Sequence, residues 1–234
     1  MKNALITGAT KGIGRAIAIA LAKEGLNLAI CSRNIKDLTE TQQHLQQLNP
    51  DIKVIAVEAD VTKKPDLLKF AQTAVHELGE ITVLVNNVGT FVPTSILDDE
   101  EETFDFQMNT NVRPMYELYR FFGKRLQNIG EGHVFNICSV AALNPSVNAG
   151  TYSVTKAATL CLSNIMRLEM QQYGVKVTSV IPGSTFTSSW EGTQLDKNLF
   201  VQPEDIAAAV LTIYQMSAGA NVDEIIVKPL SGQL

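Results

Sequence analysis

Cysteine is scarce in this sequence, with three in 234 residues, at Cys31, Cys138 and Cys161. An odd count closes no disulfide framework, and the spacing matches no zinc pattern. Each lies in an apolar run and reads as a small core residue, which suits a reducing, cytoplasmic compartment. Histidine is equally sparse. His44, His76 and His133 are scattered, so no metal site is expected. Positive charge is in deficit. The formal net charge is -5, without the basic stripe that a nucleic-acid surface needs. Long apolar runs are missing as well. No stretch is long enough to span a bilayer. The N-terminal run at residues 4–6 meets Gly8 too soon to be a signal segment.

What is present is an alternation of short apolar runs with longer amphipathic segments. Strands are predicted over residues 4–7, 26–32, 53–58, 81–85, 133–138, 175–181 and Glu224–Val227. Helices are predicted over 13–24, Ile35–Leu48, 65–78, 98–127, 151–173 and 203–216. Pro114 should bend the long fourth helix. The acidic run at 98–102 reads as a solvated helix N-terminus, where acids complement the dipole. The alternation runs from end to end without repeat or linker. It implies one α/β domain, residues 1–234, with a doubly wound parallel sheet of about seven strands between helices.

The first strand runs into Thr7-Gly8-Ala9-Thr10-Lys11-Gly12-Ile13-Gly14, and a helix follows. A glycine-rich turn there lets backbone N–H groups approach a pyrophosphate at the helix N-terminus. An acid about 20 positions on would hold the ribose 2′-hydroxyl of NAD. This chain has Ser32-Arg33 instead. Arg33 can pair with a 2′-phosphate in bidentate fashion, and Lys11 can reach the same group, whereas an acid would repel it. NADP(H) is therefore favoured over NAD(H). Asp60, with Val61, follows the third strand at its carboxyl end, where it could accept from an adenine amino group.

Ser139 follows the fifth strand. Tyr152 and Lys156 begin a helix at spacing i, i+4, on one face and one turn apart. A nearby ammonium favours the phenolate and brings a tyrosine toward the working range for proton transfer. Ser139 can hold a substrate oxygen by a hydrogen bond.

These residues occur in order with Asn86-Asn87-Val88-Gly89, Asn111 and Pro182-Gly183. On these motifs the chain resembles the short-chain dehydrogenase/reductases over essentially its whole length. The resemblance implies a Rossmann-type fold. It implies Tyr152 as general acid in carbonyl reduction, or base in alcohol oxidation. Lys156 would tune Tyr152 and bind the nicotinamide ribose, Ser139 would orient the carbonyl, and Asn111 would hold a relay water. Thr7, Gly8, Thr10, Lys11, Gly12, Ile13, Gly14, Ser32, Arg33, Asp60, Val61, Asn87, Val88, Gly89, Tyr152, Lys156, Pro182, Gly183, Thr185 and Thr187 would bind cofactor. Ile181 would join Pro182 and Thr187 beside the nicotinamide. Val88 replaces the family's usual alanine. The C-terminal run from Val222 to Leu230 lacks the Val-Asp-Gly-Gly ending of many members.

The implied substrate is a small ketone, aldehyde or secondary alcohol. A 3-oxoacyl thioester, presented on an acyl carrier protein, is the alternative. A non-catalytic dinucleotide sensor is the alternative of another class, which the presence of both Tyr152 and Lys156 disfavours. Residues 184–201, with Trp190, could form a lid. The family assembles through its long central helices, which implies a homotetramer or homodimer. No nucleic-acid or membrane partner is expected.

Overall fold

The computed structural model describes residues 2–190 and 192–232. Seven strands form one parallel sheet in the order β3-β2-β1-β4-β5-β6-β7. They are β1 (Asn3–Thr7), β2 (Asn27–Ser32), β3 (Val54–Glu58), β4 (Val83–Asn86), β5 (Gly132–Ile137), β6 (Val175–Pro182) and β7 (Glu224–Val227). The helices are α1 (Gly12–Lys23), α2 (Ile35–Leu48), α3 (Lys64–Leu78), α4 (Thr103–Asn111), α5 (Arg113–Ile129), α6 (Gly150–Met170) and α7 (Pro203–Tyr214).

Strand alternation sorts side chains to two faces. In β1, Ala4 and Ile6 join one core with Ile17, Leu21, Leu38 and Val210, under α1, α2 and α7. Leu5 points to the other core, with Phe70, Phe122 and Met166, under α3, α5 and α6. Both faces of the central strands β1, β2 and β4 are covered, so these strands read as nearly continuous apolar runs.

The predicted long helix over 98–127 is two helices. A short 3-10 turn, Ile96–Asp98, precedes them, and Val112 separates α4 from α5. Pro114 lacks the N–H that would continue the ladder, and its ring clashes with the preceding turn. Cys31 and Cys138 are buried, as expected of core residues. Cys161 is exposed on α6 and departs from that expectation, because the apolar residues around it are divided between two helix faces. Among the described residues, no helix is long and apolar enough to cross a membrane. No group of metal-ligating side chains is found among them either.

The strand order reverses between β1 and β4. At such a switch point the connections leave in opposite directions, and a crevice opens beyond the carboxyl ends of the strands.

Candidate active site

A cleft of about 840 Å³ occupies that crevice. Its first wall is the loop from β1 to α1, where Gly8 and Gly12 have φ of +65° and +52°. Those values lie in the left-handed region that glycine alone enters freely. Gly14 serves packing. A Cβ on it would stand 2.3 Å from the Gly8 carbonyl oxygen and 2.4 Å from Asn87 Nδ2. The same Asn87 Nδ2 donates to the carbonyl oxygens of Thr7 and Gly8, at 3.0 and 3.1 Å. Thr7 Oγ1 accepts from the N–H groups of Asn87 and Val88, at 3.0 and 3.2 Å. Thr7, Asn87 and Gly14 thus lock the loops after β1 and β4 together. That lock leaves Gly8, Thr10, Lys11, Gly12, Ile13, Asn87, Val88 and Gly89 along the cleft.

At one end stands Arg33, exposed just past β2. Ser32 is half-buried and does not line the cleft, and its Oγ accepts from the Asn34 N–H at 3.2 Å. Asn34 caps α2 by accepting from the N–H groups of Lys36 and Asp37. Lys11 Nζ pairs with Asp37 Oδ2 at 3.1 Å, a partner that the sequence did not announce. Asp60 and Val61 lie outside the cleft walls. Val61 packs in the core under α3. Asp60 Oδ1 accepts from the Thr62 N–H and hydroxyl, at 3.1 and 2.7 Å. Burial works to raise the Asp60 pKa, but these hydrogen bonds and the charge of Arg33 outweigh it and hold the carboxyl below its ordinary range.

The catalytic wall comes from β5 and α6. Ser139 begins a 3-10 turn, Val140–Ala142, and its Oγ accepts from the Ala141 N–H at 3.2 Å. Tyr152 and Lys156 extend from the first two turns of α6 into the cleft. Lys156 is buried, and its Nζ donates to the Ile137 carbonyl oxygen at 3.1 Å. The same Nζ lies 5.6 Å from the centre of the Tyr152 ring. An ammonium has three donors, so two remain for Tyr152 or a bound ribose. Gly89 lies close to the lysine head, and a Cβ there would stand 3.3 Å from Lys156 Nζ. Phe91 packs edge-on against Tyr152, with centroids 4.9 Å apart. Phe91 belongs to none of the sequence motifs, and its signal in the sequence is its position in the loop after Gly89.

Asn111 closes α4 behind this wall rather than in it. Its Oδ1 accepts from the Thr90 N–H at 2.7 Å. Its Nδ2 donates to the Thr90 carbonyl and to Thr155 Oγ1, at 3.0 and 2.9 Å. With its side chain committed to these partners, Asn111 fastens the loop after β4 to the catalytic helix. The third wall follows β6. Pro182, Gly183, Thr185 and Thr187 line the cleft, and Thr187 Cγ2 would meet a Cβ on Gly12 at 3.1 Å. Ile181 does not reach the cleft and is fully buried with Cys138, Val140 and Leu160. Trp190 both lines the cleft and packs edge-on to Phe200 at 4.7 Å.

The arrangement fits a dinucleotide. The backbone cradle admits no extra carbon at Gly14, two cations sit at one end, and an acid–base pair sits at the other. The short chain dehydrogenase family model matches residues 2–198. An oxidoreductase of Staphylococcus epidermidis is 31% identical over 98% of this chain and 97% of its own. A sepiapterin reductase of Chlorobaculum tepidum is 33% identical, with the same two coverages of 98% and 97%. An alcohol dehydrogenase of the archaeon Thermococcus sibiricus, solved with 5-hydroxy-NADP, superposes with a TM-score of 0.91 at 26% identity. That match covers 100% of this chain and 99% of the archaeal one. The chain belongs to the short-chain dehydrogenase/reductase family and is an oxidoreductase of carbonyl and CH–OH chemistry.

Proposed function

We propose that the protein is an NADP(H)-dependent reductase of small ketones or aldehydes, able to run in reverse on secondary alcohols. The observation that carries this reading is the placement of Ser139, Tyr152 and Lys156 in one cleft with the glycine-rich cradle, and with Arg33 and Lys11 at its far end. Gly8, Gly12 and Thr10 would hold the pyrophosphate, and Arg33 and Lys11 the 2′-phosphate. Asn87, Val88, Gly89, Pro182, Gly183, Thr185 and Thr187 would enclose the nicotinamide half. Bound there, the reduced cofactor would supply the hydride. Ser139 Oγ donates a hydrogen bond to the substrate carbonyl oxygen and fixes its position. Tyr152 Oη gives that oxygen its proton. Lys156, anchored on Ile137, stabilises the negative charge left on Tyr152.

A homotetramer or dimer in the cytoplasm completes the proposal. Phe104, Phe106, Ile165 and Leu168 leave exposed apolar surface on α4 and α6, which a second copy of the chain would cover. Light scattering at micromolar concentration should give a multiple of the 25.5 kDa chain mass; the chain mass itself would contradict this part.

The test is cofactor oxidation against aldehydes, ketones, diketones and 3-oxoacyl thioesters, run with NADPH and NADH in parallel. Turnover of free carbonyl compounds with NADPH preferred is the expected result. Turnover of thioesters alone would move the assignment to acyl-thioester reduction. No turnover would favour the sensor.

A further inference from the structure

Two aromatic rings reach the cleft from separate loops. Phe91 follows β4, lines the cleft and is 46% exposed. Trp190 closes the 3-10 turn Ser188–Trp190 after β6, lines the cleft and is half-buried. Neither ring belongs to the apolar cores on the two faces of the sheet, or to the small cluster around Ile181. Large apolar surface left open to water forgoes the free energy of burial. Both rings are nevertheless held in place. Phe91 packs edge-on against the catalytic Tyr152. The residue before it, Thr90, is fastened to Asn111 through both its N–H and its carbonyl. Trp190 packs edge-on against buried Phe200 at 4.7 Å. The two ends of its loop are joined, since the Phe186 N–H donates to the Val201 carbonyl at 2.8 Å and the Val201 N–H to the Ser184 carbonyl at 3.0 Å. Rings fixed in this way lose little freedom when a partner packs on them.

Charge gives this end of the cleft no other means of gripping a substrate. Among the described residues, the charged side chains lining the cleft are Lys11, Arg33 and Lys156. The first two stand at the far end, and Lys156 is anchored on Ile137 beside Tyr152.

We propose that the substrate is an aryl ketone or aldehyde whose ring packs on Phe91 and Trp190 while Ser139 and Tyr152 hold its carbonyl oxygen. This rests on the carbonyl-reductase reading and names the substrate class of the same site. The carbonyl carbon takes a hydride from NADPH and the oxygen takes a proton from Tyr152, which leaves a benzylic alcohol and NADP+. Aromatic pairs are favourable beyond the area that they bury, so a flat ring gains more here than a saturated ring of the same bulk.

The experiment measures kcat/KM with NADPH for acetophenone, cyclohexyl methyl ketone and acetone. The proteins are the wild type, Phe91→Leu and Trp190→Leu, with Tyr152→Phe as control. Cyclohexyl methyl ketone keeps the bulk of acetophenone without its π face. The informative quantity is the acetophenone-to-cyclohexyl ratio compared between proteins, because intrinsic reactivity cancels from that comparison. The wild type should prefer acetophenone to acetone. The ratio should fall about two- to tenfold in each variant, the size of one aromatic contact. NADPH fluorescence titration reports that each variant keeps a folded cofactor site. A ratio unchanged in either variant, or a wild type that prefers acetone, would overturn the proposal. Tyr152-dependent turnover of other carbonyl compounds with acetophenone untouched would overturn it alone and leave the reductase reading standing. Absence of Tyr152-dependent turnover of any carbonyl compound would remove that reading, and this inference with it.

Discussion

Asp37→Asn should tighten NADPH binding. In the structure Asp37 Oδ2 holds Lys11 Nζ at 3.1 Å. A 2′-phosphate on the other side of that ammonium would stand about 6 Å from the carboxylate, roughly two ion-pair distances away. Two unit charges at that separation repel by about 0.7 kcal/mol in a water-like dielectric, and a phosphate near -2 doubles it. Losing the ion pair itself costs little, because Lys11 is 65% exposed and such pairs contribute about 0–1 kcal/mol. The net gain is about 1 kcal/mol, or about fivefold in Kd. Fluorescence titration of the wild type and Asp37→Asn with NADPH and NADH, at low and high salt, reads this directly. NADPH should tighten about fivefold, NADH should stay within about twofold, and the difference should shrink as salt screens it. Arg33→Asp is the control of opposite sign and should weaken NADPH more than NADH. An unchanged or weakened NADPH affinity in Asp37→Asn would mean that Lys11 does not meet the phosphate.

Two further predictions concern the frame of the site. Gly14→Ala places a Cβ 2.3 Å from the Gly8 carbonyl oxygen, so the cradle must shift. NADPH affinity should fall by more than about tenfold, and an unaltered Kd in titration would contradict the packing argument. His133 is buried and stacked on Phe135, with its Nε2 at 2.9 Å from Thr178 Oγ1. Burial, with the charge of Lys176, pushes its pKa down to about 3. The unfolded chain therefore takes up a proton that the folded one refuses, and stability falls as pH drops from about 6.5 toward 3, by about 1.4 kcal/mol per pH unit. Replacing His133 by Gln should flatten the dependence of urea unfolding on pH between 6.5 and 4.5 by that slope. An identical slope in both proteins would refute the assignment.

Much of this architecture was legible in the sequence because its signals are local. The glycines of residues 8–14 mark the turn between β1 and α1, and Pro114 marks the break that separates α4 from α5. Tyr152 and Lys156 share a helix face by spacing alone. What was not legible is tertiary. Asp37 reads as an ordinary first-turn acid until α2 is docked beside Lys11. Asn111 is found committed to Thr90 and Thr155 only once the loop after β4 packs on α6. Cys161 and Ile181 have similar apolar neighbours in sequence, yet one faces out from a helix and the other, within β6, is sealed against Cys138, Val140 and Leu160.

The central claim is that Tyr152 transfers the proton in a reaction supported by a nicotinamide held in this cleft. The most direct measurement is NADPH oxidation by wild type and Tyr152→Phe with the best substrate found, alongside NADPH affinity for both. Loss of the hydroxyl with the ring retained should lower kcat by about 10²–10⁴-fold, the usual contribution of a positioned acid or base, while NADPH still binds. Comparable turnover in the two proteins would contradict the assignment of Tyr152 and the account built on it.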